Sequence, residues 1–395
     1  MAIAERELSA EMLAIEELEH AAHYLDLEPW IVMRLRQPER EIHLNLQVRR
    51  ESGETAMLRA SRVHHSTSRG PTLGPLLVSN SIGMADVRAE ALKLTLQYAL
   101  WGLPFCGSVG HIPVDFNEWS EKDLRNIVCS YTEALSGSEK ADVIAASRDL
   151  PPQMITWMFS RLPGDHEHLS RFTGKPVSMG GIDREYVAAR FMATLVRSVA
   201  GRNLLGLQIA MLGFDSLAQR TAAEFEAAGA KVIAICDCSG AVYHESGLNI
   251  ETLRQHVARE DVVFGFPEAE SQTLEKMIRT PCDVLILADS HDLQIRPAAK
   301  IIVEAGGSTA PELGCEAAVI PSMLADFGLS FADFLEWRKA KYGFCSDREI
   351  MRGMQGQIRR TWQEVSDYAH KHNLSLRKAA QVMALSKVAE AMRMK

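Results

Sequence analysis

Apolar residues recur along this chain in two rhythms, a helical one at both ends and a strand-like one in the middle. Leu8, Met12, Ile15, Leu18, Ala22 and Leu25 fall every three or four residues and predict an amphipathic helix over Glu5–Leu25. Pro29 breaks it, and Ile31–Leu35 reads as a short helical turn. Ile42, Leu44, Leu46 and Val48 then alternate with polar residues. After the turn Glu51–Glu54 the run Met57–Val63 is again strand-like, so the pair reads as a hairpin. Met84–Leu100 follows as a helix with Leu92, Leu96 and Ala99 on one face, then Trp101–Gly110 as a Gly-rich loop, then helices over Glu121–Leu135 and Met154–Leu162. Pro163–Met179 reads as a linker. Beyond it short apolar runs recur at Leu207–Leu212, Val232–Cys236, Val262–Gly265, Val284–Ala288, Lys300–Val303 and Ala318–Ile320, separated by helical stretches. From Arg338 the pattern is helical to the end, and Ala379, Val382, Met383, Leu385 and Val388 mark a last amphipathic helix.

Leu207–Ser239 is the clearest unit. A short apolar run stops at Gly213, helical spacing follows at Ala218, Ala222, Phe225 and Ala228, Gly229 ends the helix, and a second run closes at Asp237. Two strands joined by a crossover helix seed a doubly wound parallel sheet. In the dinucleotide-binding version the first turn reads G-x-G-x-x-G/A, with an acid about 20 residues on. Here the turn runs Gly213-Phe214-Asp215-Ser216-Leu217-Ala218, and Asp237 ends the next strand. Asp215 stands where backbone must approach a pyrophosphate. Two readings follow: Asp215 caps the helix and closes the nucleotide site, or a shifted turn still admits NAD. The fold class is α/β with two domains, divided as residues 1–182, 183–335 and a helical segment 336–395 that returns to the first.

Composition adds little to this and excludes some classes. At 395 residues, with 47% hydrophobic and 24% charged residues, the chain is an ordinary two-domain globular protein. A net charge of −8 argues against nucleic acid, and no apolar run reaches membrane-spanning length. Seven cysteines at irregular spacing suggest reduced thiols and a cytoplasmic setting; Cys236 and Cys238 have no second pair to complete a zinc site. The acidic, amphipathic start does not read as a signal peptide. His64, His65, Cys106 and His111 are of the residue types that ligate transition metals; without ligand spacing, packing and hydrogen bonding is the simpler role. His166 and His168 read as a solvated loop.

Several phrases occur together: Arg62-Val63-His64-His65, Arg69-Gly70-Pro71-Thr72, Leu103-Pro104-Phe105-Cys106-Gly107, Thr173-Gly174-Lys175-Pro176 and Gly180-Gly181. They continue through Ala228-Gly229-Ala230-Lys231, Cys282-Asp283-Val284-Leu285, and Ile320-Pro321-Ser322-Met323-Leu324-Ala325 to Phe334-Leu335-Glu336-Trp337. In this order they resemble the glutamate/leucine/phenylalanine/valine dehydrogenase family, its glutamate branch most of all, over nearly the whole chain. The resemblance implies a substrate-type N-terminal domain with antiparallel edge strands, a Rossmann-like domain for NAD or NADP, and a hexamer.

The departures bear on chemistry. The family carries lysines where Leu73, Gln97 and Val109 stand here, and the last of these is its catalytic lysine. Asp149, in Arg148-Asp149-Leu150-Pro151, matches the family's catalytic aspartate. Ala188 stands for a cofactor-contacting threonine, Asp326 for an asparagine, and Asp333 for a substrate-binding serine. In the Gly-rich stretch 304–311 one residue is missing. Gly213, Asp215, Ser216, Asp237 and Asp326 are the cofactor-side positions, and the altered turn leaves open that no dinucleotide binds. The expected function is a catalytically impaired relative of glutamate dehydrogenase, a regulatory or structural subunit that is self-assembled or mixed with a catalytic glutamate dehydrogenase. The alternative is an active NAD(P)-dependent dehydrogenase with altered substrate. The first expectation fails if another cation, Arg69 or Lys93, takes the vacated place.

Overall fold

The computed structural model describes residues 9–136, 142–161, 170–289, 295–307, 317–343 and 346–395. The His166 and His168 loop, much of the linker before Ser170, and the end of the Gly-rich stretch 304–311 lie outside them. Two compact units divide the chain. The first holds Met1–Asp183, Asp333–Ser346 and Ala380–Lys395; the second holds Arg184–Ala332 and Asp347–Ala379. The expected return of all of 336–395 to the first domain differs here, because 347–379 clusters with the second.

The first unit is built on a six-stranded mixed sheet. Helices α1 (Ala10–Tyr24) and α2 (Pro29–Leu35) precede strands β1 (Arg40–Arg49), β2 (Thr55–His64) and β3 (Thr72–Val78). Helix α3 (Met84–Leu100), β4 (Cys106–Ile112), α4 (Glu121–Leu135), β5 (Asp142–Ala146), α5 (Pro152–Phe159) and β6 (Phe172–Thr173) complete it. The strand order is β1-β2-β4-β3-β5-β6, antiparallel from β1 to β4 and parallel from there on. Ser9 begins α1 by accepting the Met12 amide, as an N-cap should.

The expected Gly-rich loop Trp101–Gly110 is corrected: its second half is strand β4, buried along its length. Its glycines make room instead of turning the chain. A Cβ on Gly107 would lie 2.2 Å from the Ala91 carbonyl of α3, and one on Gly110 would lie 2.4 Å from the Tyr131 hydroxyl. Gly74 does the same for β3, where a Cβ would meet the Ser108 carbonyl at 1.5 Å.

The second unit carries a seven-stranded sheet. Helix α6 (Arg184–Ala200) leads into β7 (Gln208–Leu212), α7 (Ser216–Ala227), β8 (Lys231–Asp237) and β9 (Gly240–Tyr243). Next come α8 (Ile250–Glu260), β10 (Glu270–Gln272), α9 (Leu274–Ile278), β11 (Cys282–Leu287), β12 (Ala299–Glu304) and β13 (Ala318–Ile320). After α10 (Ser322–Ala325) the helices α11 (Phe327–Tyr342), α12 (Asp347–His372) and α13 (Leu376–Arg393) finish the chain. The order is β10-β9-β8-β7-β11-β12-β13; β8 through β13 are parallel, and β9 and β10 are antiparallel additions. This is the α/β, Rossmann-like sheet that the β7–α7–β8 pattern implied.

The expected strand Val262–Gly265 does not form. Asp261 ends α8 in the left-handed conformation. After Val262, three consecutive amides bond to side chains: Val263 to Asp237, Phe264 to Ser239 and Gly265 to Ser271. With those donors taken, no ladder can run through the segment.

Candidate functional site

In the first unit, Leu73 and Val109, two positions that the resemblance sets against lysines, lie on one sheet face. Leu73 on β3 lies opposite Gly107 and Val143, and Val109 on β4 lies opposite Val63. By the two-residue pleat, Leu73, Gly107 and Val109 point to the same side. Helix α3 covers that side, since Gly107 abuts Ala91 and Leu94. Leu73 and Val109 are fully buried, and Gln97 on α3 is buried too. Asp333 is buried, and Asp149 is exposed in the turn before α5. Of the two candidate surrogate cations, only Arg69 is held by protein partners among the described residues. Arg69 donates to the carbonyls of Leu103 and Lys387 at 3.3 and 3.4 Å, and Lys93 is exposed.

The opposite face of the same sheet holds a charge cluster that the sequence reading missed. Arg62 is wholly buried. Its Nε and Nη2 donate to the two oxygens of Asp142 at 2.9 and 2.8 Å. Nη1 donates to the Gly74 and Pro75 carbonyls, and Nη2 also to Ser108 Oγ and the Val143 carbonyl. Thr72 and Ser108 donate to Asp142 as well, and His64 Nε2 lies 3.3 Å from it. Burial alone would push the Asp142 carboxyl up; the Arg62 charge, with hydrogen bonds from His64 and Arg62, overrides it and holds the carboxyl well below the usual range. All five guanidinium N–H groups are used, so none is left for a substrate carboxylate. The signal was present in sequence: Arg62 sits in the inward phase of an alternating strand.

A second buried pair joins two of the quoted phrases. Lys175 Nζ lies 2.7 Å from Glu336 Oε1, and Glu336 also accepts the Gly174 and Lys175 amides. Beside it Phe105 meets Trp337 edge to face, with centroids 4.8 Å apart. His65 bonds to Thr95 and the Leu35 carbonyl, and His111 to the Ser79 carbonyl. Cys106 lies beside Ser68 and the Arg69 amide. These three candidate ligand residues, and His64 beside Asp142, therefore sit in separate settings.

In the second unit the turn after β7 is described in full. Gly213 has φ +102°, and a Cβ there would press on Ala288 and Asp289 at 3.0 to 3.1 Å. Asp215 is the N-cap of α7, and its Oδ1 accepts the Ala218 amide at 2.9 Å. Ser216 donates to Glu185 at 2.9 Å. Asp237 has both carboxylate oxygens engaged: Oδ1 accepts from Ser239, and Oδ2 accepts the Val263 amide at 2.8 Å. Asp326 accepts the Gly306 amide at 3.0 Å. Ala188 packs where Gly328 crosses it, so closely that a Cβ on Gly328 would lie 2.8 Å from the Ala188 Cα. Cys236 is buried, and burial followed by the neighbouring Asp237 pushes its thiol up to about 12, so it is no nucleophile at neutral pH.

The fit to a dinucleotide is poor at two points. A pyrophosphate needs free amides at the start of α7, and Asp215 takes one of them with a negative charge of its own. A ribose needs a carboxylate that can accept its hydroxyls, and Asp237 already binds the following loop. Among the described residues, no helix is long and apolar enough to cross a membrane.

Comparison with known proteins matches two family models in tandem. Residues 38–163 match the Glu/Leu/Phe/Val dehydrogenase dimerisation domain, and residues 184–395 match the Glutamate/Leucine/Phenylalanine/Valine dehydrogenase domain. The chain is 26% identical to the NAD-specific glutamate dehydrogenase of Peptoniphilus asaccharolyticus, covering 97% of each. It is 27% identical to the NADP-specific glutamate dehydrogenase of Saccharolobus shibatae, covering 96% of this chain and 95% of that one. Among solved structures, the hetero-hexameric glutamate dehydrogenase from Thermus thermophilus in its Leu-bound form superposes with a TM-score of 0.87 at 24% identity, over 100% of this chain and 99% of that chain.

Proposed function

The chain belongs to the Glu/Leu/Phe/Val dehydrogenase family, and from that premise we propose that it is a non-catalytic subunit of glutamate-dehydrogenase type, with a regulatory or structural role in an amino-acid dehydrogenase assembly. One observation carries the reading. Leu73 and Val109, which the family comparison in sequence sets against lysines, are apolar and fully buried. Neither can bind a carboxylate, and neither can exchange a proton with water or an imine carbon's substituents. A desolvated lysine is the group that would do both. The self-satisfied carboxylates Asp215 and Asp237 support the same reading from the cofactor side.

That a solved relative of this fold is a hetero-hexamer supports assembly with a second, catalytic chain. The test is a spectrophotometric assay of the purified chain with NADH or NADPH, ammonium and 2-oxoglutarate, alone and after co-expression with a catalytic paralogue. The expected result is no turnover alone and co-purification with the paralogue. Robust turnover by the chain alone overturns the proposal. It would favour the second reading, an active NAD(P)-dependent dehydrogenase of altered substrate, for which exposed Asp149 is the retained acid.

A further inference from the structure

The second unit contains a cleft that none of the dehydrogenase positions touches. It lies between α6 with its following turn and the middle of α12, and its volume is about 370 Å³. Thr194, Arg197, Ser198 and Gly201 come from one side at helical spacing, with Arg202 next to them. Gln355, Arg359, Trp362 and Gln363 come from the other, again one helical stripe. A stripe facing a neighbouring helix is ordinarily apolar. Here it is polar on both sides, with three guanidinium groups and no carboxylate in the lining. The chain as a whole carries a net charge of −8, opposite in sign to this cluster.

Structural duty accounts for two of the three arginines and not for the third. Arg202 lies 3.5 Å from Asp283, which also receives Lys300. Arg197 sits in the last turn of α6, where a cation complements the helix dipole. Arg359 is in the middle of α12, far from either end, and no such account applies. Among the described residues, neither the Arg197 nor the Arg359 guanidinium has a hydrogen bond or ion pair with a protein group. Both are exposed and line the same cleft, where their donors are open to a ligand.

We propose that this cleft binds a small molecule bearing two or more oxyanion groups. Arginine forks match the geometry of phosphate and carboxylate oxygens and bond them in pairs. Ser198, Gln355 and Gln363 supply neutral polar groups around them, and half-buried Trp362 gives the cleft a flat apolar wall. The volume falls in the range of small-ligand pockets. The site lies within one unit and does not depend on whether the chain turns over substrate.

Trp362 makes the test direct. The full-length chain is titrated with pyrophosphate and, separately, with citrate, while its tryptophan emission is followed; sodium chloride at matched ionic strength is the control. Saturable change with either probe, absent in the salt control and lost from the emission of Trp362→Phe, supports the site. Response to pyrophosphate alone identifies a phosphate-type ligand, and response to citrate alone a carboxylate-type one. Arg359→Gln weakens binding by about 10- to 100-fold, the loss of a charged hydrogen-bonding group. Arg197→Gln with Arg359→Gln abolishes it. Unchanged melting temperatures show that these surface changes leave the fold intact. No saturable response to either probe, or affinity unchanged in the double variant, overturns the proposal.

Discussion

Substitution of Asp215 separates a helix cap from a blocked phosphate site, because three replacements remove different parts of the same side chain. The carboxylate accepts one amide, that of Ala218, at 2.9 Å, and lies at the positive end of α7. Alanine removes both hydrogen bond and charge. Loss of an N-cap costs about 1 kcal/mol, which lowers the melting temperature by about 2–4 °C in a domain of 150–250 residues. Asparagine keeps the acceptor and loses only the attraction to the helix end, about 0.3–1 kcal/mol, so its melting temperature falls less. Glycine, itself a fair N-cap, costs only a few tenths of a kcal/mol and frees the amide for an outside anion. Differential scanning fluorimetry gives the stabilities, and isothermal titration with NAD and NADP gives the binding. The expected order of melting temperature is wild type, then Gly and Asn, then Ala, with no dinucleotide heat in the wild type and a gain in the glycine variant. Micromolar binding of either dinucleotide by the wild type refutes the closed-site reasoning, whatever the stabilities. An alanine variant as stable as wild type refutes the cap.

Four further variants probe the buried charges and the buried Val109. Asp142→Asn leaves Arg62 buried without its counter-charge and costs about 3–5 kcal/mol in urea unfolding; a loss under 1 kcal/mol would show that the pair is dispensable. Because the folded Asp142 carboxyl lies below its ordinary value, its contribution is complete above about pH 4 and is lost as pH falls lower, so the asparagine variant has a flatter acid limb. Burial lowers the His65 imidazole, so the folded state resists protonation and stability falls as pH drops below about 6.5; His65→Gln, which takes up no proton there, gives a flatter melting profile between neutral and mildly acid pH. Glu336→Gln breaks the pair with Lys175 and costs about 3–5 kcal/mol by denaturant titration. Val109→Lys puts an unpaired ammonium at a fully buried position, lowering stability by several kcal/mol without creating glutamate turnover; a stable, active variant would contradict the proposed loss of function.

Most elements were legible because their periodicity was local. Met84–Leu100 and Glu121–Leu135 emerge with the expected bounds, and the hairpin of β1 and β2 falls on the alternating runs. The misreadings share a cause: a glycine or an apolar run was interpreted by itself. Gly107 and Gly110 read as loop signals, yet they are strand positions emptied for Ala91 and Tyr131, which lie elsewhere in sequence. Val262–Gly265 has strand composition, but its amides bond to side chains of Asp237, Ser239 and Ser271. The Arg62–Asp142 cluster was hidden for the same reason, since its partners are 80 residues apart.

The retained phrases make physical sense once their partners are known. Thr173–Pro176 and Phe334–Trp337 persist together because Lys175 and Glu336 neutralise each other in the interior; change in one leaves a buried charge in the other. Arg62-Val63-His64 persists with Asp142 on the same ground. No such coupling protects a side chain whose partner is a substrate or a cofactor. On the proposed non-catalytic reading, Leu73 and Val109 fill their space with hydrocarbon and Asp215 takes the Ala218 amide, each with some gain in stability. On that same reading, packing accounts for both halves of the pattern: groups bonded within the protein stay, and positions no longer held by a ligand take whatever side chain stabilises the fold.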